Sequence, residues 1–153
     1  MRPFGFVLLA ACGAQSTGES LTFDPCASTV VSAPHATTEQ LASIDDALAM
    51  WRADGVTGLT RGDTAEITVE FRDAAASIYG FYDTTTATLY VNTRLADPGQ
   101  RAITIAHELG HALGLVHVSA ATRISVMNPG NLITEPTASD SLALESLWGA
   151  CQF

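Results

Sequence analysis

The run His107-Glu108-Leu109-Gly110-His111-Ala112-Leu113-Gly114-Leu115-Val116-His117 constrains this chain more than any other segment. On a helix, residues four apart share one face, a turn above each other, so His107 and His111 can reach one point from the same side. Glu108 follows the first of them and can face a water at that point. Gly114 takes a left-handed backbone conformation at little cost, so it can end the helix and turn the chain back. His117 then offers a third nitrogen from another direction. Three imidazoles leave the fourth tetrahedral position of a zinc ion open, the arrangement of a catalytic rather than a structural site.

The helix that carries the first two histidines opens at Asp97-Pro98, because proline is tolerated in a first turn where its missing N–H has no helical partner. It runs to about Leu113. Ile103, Ile105, Ala106, Leu109 and Leu113 make it apolar over much of its circumference, which predicts a central, buried helix. Buried polar groups need partners, and a metal ion with its water supplies them for His107, Glu108 and His111. The fourth histidine, His35, follows Pro34 in a polar stretch and is read as a solvated loop residue.

Elsewhere, Thr37 and Gln40 have the spacing of a capping box at the start of a helix, with Leu41, Ile44, Leu48 and Trp51 on one face and Gly55 as a stop. Ile67, Val69 and Phe71 alternate with Thr68 and Glu70, a half-buried strand. Ile78 to Tyr82 and Thr86 to Asn92 are two further strand-like runs joined by Asp83-Thr84-Thr85 as a hairpin. Thr137 with Asp140 predicts the cap of a last helix whose Leu144, Leu147 and Trp148 face inward. No internal repeat or second-domain boundary is visible.

The zinc run resembles the signature of the metzincin peptidases, H-E-x-x-H-x-x-G-x-x-H followed by a methionine-containing turn. Every fixed position is filled. Ser125-Val126-Met127-Asn128-Pro129, with Met127 ten residues past His117, resembles that turn. Thr137 to Gly149 resembles the C-terminal helix of the matrixin branch. The resemblance implies an α+β, zincin-like fold: a mixed, mostly parallel twisted sheet with an antiparallel edge strand, three main helices, an active-site helix and a Met-turn. It places the edge strand at Ile78 to Tyr82, where an extended substrate pairs with it. It implies His107, His111 and His117 as ligands of one catalytic zinc, Glu108 as general base, and Met127 as an apolar floor beneath the imidazoles. Asn131 stands where many matrixins have a Tyr that shapes the substrate pocket, and their histidine-rich structural zinc segment is absent. Calcium, used by matrixins, is compatible with the acidic residues here, but no ligand loop specifies it.

A chain of 153 residues with 47% hydrophobic and 15% charged residues fits one compact domain. A net charge of −9 without a Lys/Arg cluster argues against nucleic-acid partners and against electrostatic docking on anionic membranes. Arg2, the apolar run Phe4 to Ala11, and Leu9-Ala10-Ala11-Cys12 resemble a bacterial export signal ending in a lipobox, with an ordinary secretory signal as the other reading. Residues 1–12 are thus read as signal, 13–23 as a flexible tether and 24–153 as the peptidase domain. If Cys12 carries lipid, Cys26 and Cys151 remain as one pair, and a disulfide between them would tie the ends of the domain together in an oxidising compartment. The competing role for Cys26, a thiolate that caps the zinc, fits less well because Asp24-Pro25-Cys26-Ala27-Ser28 departs from the matrixin switch motif.

The expected protein is therefore an extracytoplasmic zinc metalloendopeptidase, a monomer that binds a protein or peptide in extended form. Its one link to a membrane is a lipid anchor at Cys12 if that residue is processed; otherwise the protein is secreted. Two other readings stay open: an exopeptidase or amidase with the same zinc chemistry, and a catalytically silent zinc-binding surface module. The intact Glu108 speaks against the last, since a mere binding module has no use for a general base.

Overall fold

In a computed structural model the structure describes residues 20–151. The expected export signal, Cys12 and most of the tether lie outside these residues. Eight elements follow one another: β1 (Thr29–Ser32), α1 (Thr38–Ala53), β2 (Leu59–Arg61), β3 (Ile67–Arg72), β4 (Gly80–Asp83), β5 (Thr88–Asn92), α2 (Pro98–Ala112) and α3 (Ala138–Trp148). The five strands form one sheet in the order β2-β1-β3-β5-β4. All neighbours are parallel except β4 and β5, which are antiparallel with Phe81 opposite Tyr90 and Tyr82 opposite Leu89. β4 is therefore an edge strand, and it is the one that differs in direction. The mixed α/β sheet with three helices agrees with the expected fold class.

The local signals explain most element ends. Thr37 Oγ1 accepts from the Gln40 backbone N–H while the Gln40 side chain accepts from the Thr37 N–H at 2.8 Å, so the capping box closes. Asp97 accepts from the Gln100 N–H at 2.8 Å and Pro98 occupies the first turn of α2. α1 and α2 pack on the sheet. Ile44, Ala47, Leu48 and Trp51 of α1 are buried with Ile105, Ala106, Leu109 and Ala112 of α2 and with Val31, Ile67, Val69, Leu89 and Val91 of the strands. The Trp51 indole N–H donates to the Ala106 carbonyl at 2.9 Å, which fixes the two helices against each other. α2 is buried on almost every side, as its apolar circumference predicts.

Three expectations need correction. The chain enters the sheet before the first helix: β1 and β2 were not expected, and with four and three residues they are too short to show a period. The two hairpin strands are shorter than Ile78–Tyr82 and Thr86–Asn92, because Ile78 belongs to a turn that closes on the Ala75 carbonyl and Ala87 has a positive φ of 51°. On α3 only Asp140 and Leu144 are buried, whereas Leu147 and Trp148 are 59% and 37% exposed. That helix lies on the surface and holds on by a narrow contact.

Cys26 and Cys151 form a disulfide across a sequence separation of 125 residues. It joins the segment before β1 to the segment after α3. No described helix is long and apolar enough to cross a membrane.

Candidate metal centre

α2 brings His107 and His111 to the same face, as the four-residue spacing requires, and both rings point out of its C-terminal half. Gly114 has φ +94°, a conformation that residues with a Cβ rarely adopt, and it ends the helix there. The chain reverses through Leu115 and Val116 and returns His117 to the first two rings. The His117 Nε2 atom lies 3.0 Å from His107 Nε2 and 3.2 Å from His111 Nε2.

The tautomers follow from the partners of the other ring nitrogens. His107 Nδ1 lies 2.7 Å from the Val126 carbonyl and His111 Nδ1 lies 2.8 Å from the Leu115 carbonyl. A carbonyl only accepts, so each Nδ1 carries the proton and each Nε2 presents a lone pair. One proton on His117 can serve only one of these lone pairs. Three imidazole nitrogens thus converge with too few protons among them, and a cation resolves the conflict. For tetrahedral zinc with Zn–N near 2.1 Å, ligand nitrogens stand about 3.4 Å apart, so the observed spacings are close to what that ion needs. The carbonyl partners are of the kind that orient metal-binding histidines. The three residues are the one group of potential metal ligands of this kind among the described residues. His35 is exposed and takes no part.

Burial completes the electrostatics. It pushes His107 down to about 4 and lowers His111 as well, which keeps both rings neutral and able to donate. It pushes Glu108 up to about 7, with the nearby Tyr82 backbone N–H opposing the shift. A cation at the three histidines would draw this value down again and favour the carboxylate form.

Glu108 and the histidines line a cavity of about 620 Å³. Its walls come from Ile78 to Tyr82, including the edge strand β4, and from Pro129 to Asn131. Gly80 is the point of closest approach: a Cβ placed there would stand 2.8 Å from Thr104 Cγ2 and 2.9 Å from Glu108 Oε1. The lack of a side chain at Gly80 lets the edge strand lie against the Glu108 carboxylate. Sequence patterning offered no sign of this, because nothing local distinguishes this glycine from a turn residue. Ser20 and Thr22 also line the cavity.

The Ser125–Pro129 turn packs against α2. Met127 is fully buried, and its sulfur lies 2.4 Å from where a Cβ of Gly110 would be. Asp140 at the start of α3 holds this turn. Its carboxylate accepts from the Ser125 hydroxyl, from the Val126 N–H at 3.2 Å and from the Thr137 N–H at 3.0 Å. Asn131 reinforces the loop that follows, donating to the Val126 carbonyl at 3.2 Å and to the Thr134 carbonyl at 2.6 Å. Its side chain is thereby spent on its own loop.

Residues 63–123 match the model of the peptidase M78 family, described as an IrrE N-terminal-like domain. That span includes Glu108 and all three histidines. No curated protein matches the sequence. Two solved structures of myroilysin are similar to the chain. One is 19% identical with a TM-score of 0.50, over 65% of this chain and 53% of that chain. The other is 16% identical with a TM-score of 0.52, over 88% of this chain and 67% of that chain. This chain thus spans about half the length of the first of them. At such identity the likeness is one of fold, and with the family match it supports a zinc-peptidase-like architecture.

Proposed function

We propose that this chain is a zinc metalloendopeptidase of the matrixin-like metzincin type, acting on proteins outside the cytoplasm. The observation that carries the reading is the convergence of three imidazole Nε2 atoms beside a buried carboxylate, in a cavity bordered by the edge strand of the sheet among the described residues. The peptidase M78 match over the same residues supports a hydrolase of this kind. Gly114, His117 and the buried Met127 beneath Gly110 support the metzincin type.

His107, His111 and His117 would hold the ion. When bound, zinc supplies Lewis acidity, polarising the scissile carbonyl and acidifying a water. The chain's own residues do the rest. The Glu108 carboxylate accepts the proton released as water adds to the carbonyl carbon, and it delivers that proton to the nitrogen as the C–N bond breaks. The Tyr82 backbone N–H nearby favours the charged form of this carboxylate. The outer side of β4, unpaired among the described residues, would offer backbone groups to an extended substrate, which would add itself to the sheet. Pro129 to Asn131 form the far wall and bear on which side chain is accepted next to the cleaved bond.

The disulfide between Cys26 and Cys151 favours an oxidising compartment. The lipobox-like order ending at Cys12 favours an anchor at the bacterial envelope, and mass spectrometry of the mature N-terminus tests it: a first residue other than an acylated Cys12 rejects the anchor. The function itself is tested by metal analysis joined to a proteomic cleavage-site screen, with Glu108→Ala and chelated protein as controls. Equimolar zinc in both proteins and internal cuts by the wild type alone are expected. Release of single terminal residues would point to an exopeptidase, and absence of stoichiometric metal in folded wild type would defeat the reading.

A further inference from the structure

The three histidines are not held alike. His107 and His111 each donate from Nδ1 to a carbonyl, but His117 has no hydrogen bond from Nδ1 among the described residues. Its ring is exposed, and its neighbour Val116 is 77% exposed. The position of His117 Nε2 therefore depends on where the backbone carries it. That backbone is pinned beyond His117 by the Val118 N–H on the Met127 carbonyl at 3.1 Å, and before it by the Leu115 N–H on the Gly110 carbonyl at 2.9 Å.

The end of α2, from which this loop springs, has two further fasteners. The last carbonyls of a helix lack helical partners and accept from elsewhere. Phe23 N–H donates to the Ala112 carbonyl at 2.8 Å, and the Trp148 indole N–H donates to the Leu113 carbonyl at 2.8 Å. Trp148 Nε1 and Thr22 Cγ2 flank Gly114, 3.7 and 3.9 Å from where a Cβ would stand. The segment Ser20–Phe23 is tied on its other side to the hairpin, through the Leu21 N–H on the Thr84 carbonyl at 2.7 Å and the Tyr82 hydroxyl on the Leu21 carbonyl at 2.9 Å. Cys26 lies three residues after Phe23, and Cys151 lies three residues after Trp148. The disulfide thus joins the two segments that grip the glycine turn.

We propose that Trp148 and the Ser20–Phe23 strap, locked together by the Cys26–Cys151 bridge, are positioning elements that hold His117 on the metal site. The proposal rests on the metal reading above. Its role is to set metal affinity through the least supported ligand, and the surface helix α3 gains a task that its small buried face does not explain.

The test is zinc affinity by competition with a chromophoric chelator, together with the visible spectrum of the cobalt-substituted protein. Trp148→Phe keeps an aromatic side chain and loses the N–H donor. It is expected to raise the zinc Kd about tenfold and to alter the cobalt spectrum, while the melting temperature of metal-free protein changes little. The Cys26→Ser/Cys151→Ser double variant is expected to shift Kd in the same direction. In a His117→Gln background, Trp148→Phe should have no further effect, because the ligand it positions is gone. An unchanged Kd in Trp148→Phe overturns the proposal, as does a shift that persists in the His117→Gln background. If the cysteine variant does not fold, the Trp148 cycle decides alone. Wild type that binds zinc while Trp148→Phe binds it equally well refutes the positioning role alone. Wild type that takes up no zinc refutes the metal reading and this inference together, and zinc uptake without hydrolysis refutes only the peptidase reading.

Discussion

The Nδ1–H of His107 donates to the carbonyl of Val126 at 2.7 Å, across nineteen residues of chain. This bond couples the central helix to the Ser125–Pro129 turn. The N–H of the same Val126 donates to Asp140, so the first residues of α3 stand two hydrogen bonds away from a proposed metal ligand.

Asp140 is fully buried and accepts from Ser125, Val126 and Thr137. Asp140→Ala leaves those donors without that acceptor, two of them, on Ser125 and Val126, fully buried. Hydrogen bonds to a charged group are worth more than neutral ones, and a loss of about 3 kcal/mol is expected. Denaturant melts of wild type and variant, both metal-free, measure it; equal midpoints would show that the turn stands without α3.

Glu108 makes the pH dependence of metal-free protein informative. Its folded value is raised to about 7 from an ordinary 4.5, with burial as the main cause. The stability this group contributes is complete below about pH 4.5 and is lost as pH rises through about 7. Glu108→Gln lacks this loss, so metal-stripped variant should gain on metal-stripped wild type over that window, by on the order of 3 kcal/mol, and then level off. His107, lowered to about 4, costs stability as pH falls from 6.5, but it does so in both proteins and cancels in the difference. Paired chemical denaturation from pH 4 to 9 tests this, and a difference that stays flat would mean that Glu108 is better solvated than its burial indicates.

Gly80→Ala puts a methyl group 2.9 Å from Glu108 Oε1 and 2.8 Å from Thr104 Cγ2. Both partners sit on the largely buried α2, so the edge strand or the carboxylate is expected to move. Because a small misplacement of a catalytic group is costly, kcat/KM is expected to fall by about a hundredfold while zinc content stays equimolar. Unchanged kcat/KM would indicate that β4 shifts freely.

Gly110→Ala sets two effects against each other. Alanine favours a helix over glycine by about 1 kcal/mol, whereas forcing a methyl group into a filled core costs about 1–3 kcal/mol. The added carbon would lie 2.4 Å from the Met127 sulfur, and Met127 is fully buried, so overpacking should win. A lower melting temperature is expected, and a higher one would show that Met127 finds another rotamer.

Local chemistry accounts for what could be read without the fold. The four-residue spacing of His107 and His111, the glycine that allows a φ of +94° at position 114, and the caps at Thr37 and Asp97 all act within a few residues. Their geometry follows from helix periodicity and backbone sterics, and the structure places them as expected. β1 and β2 escaped because a strand of three or four residues carries no period of its own. Leu147 and Trp148 misled because an apolar pattern marks what a helix could bury, not what lies opposite to receive it; the Trp148 N–H instead reaches the Leu113 carbonyl.

Sequence alone determined which nitrogens converge at the candidate metal site, since they are side chains whose order and spacing along one helix and one turn settle which of them can meet. Tertiary structure alone decided what surrounds them: the Val126 carbonyl on His107, Gly80 against Glu108, and the strap and indole around Gly114. These contacts join residues far apart in the chain through backbone atoms or the absence of a side chain. Every residue has a carbonyl, and a missing Cβ acquires meaning only when another segment packs into the space it leaves.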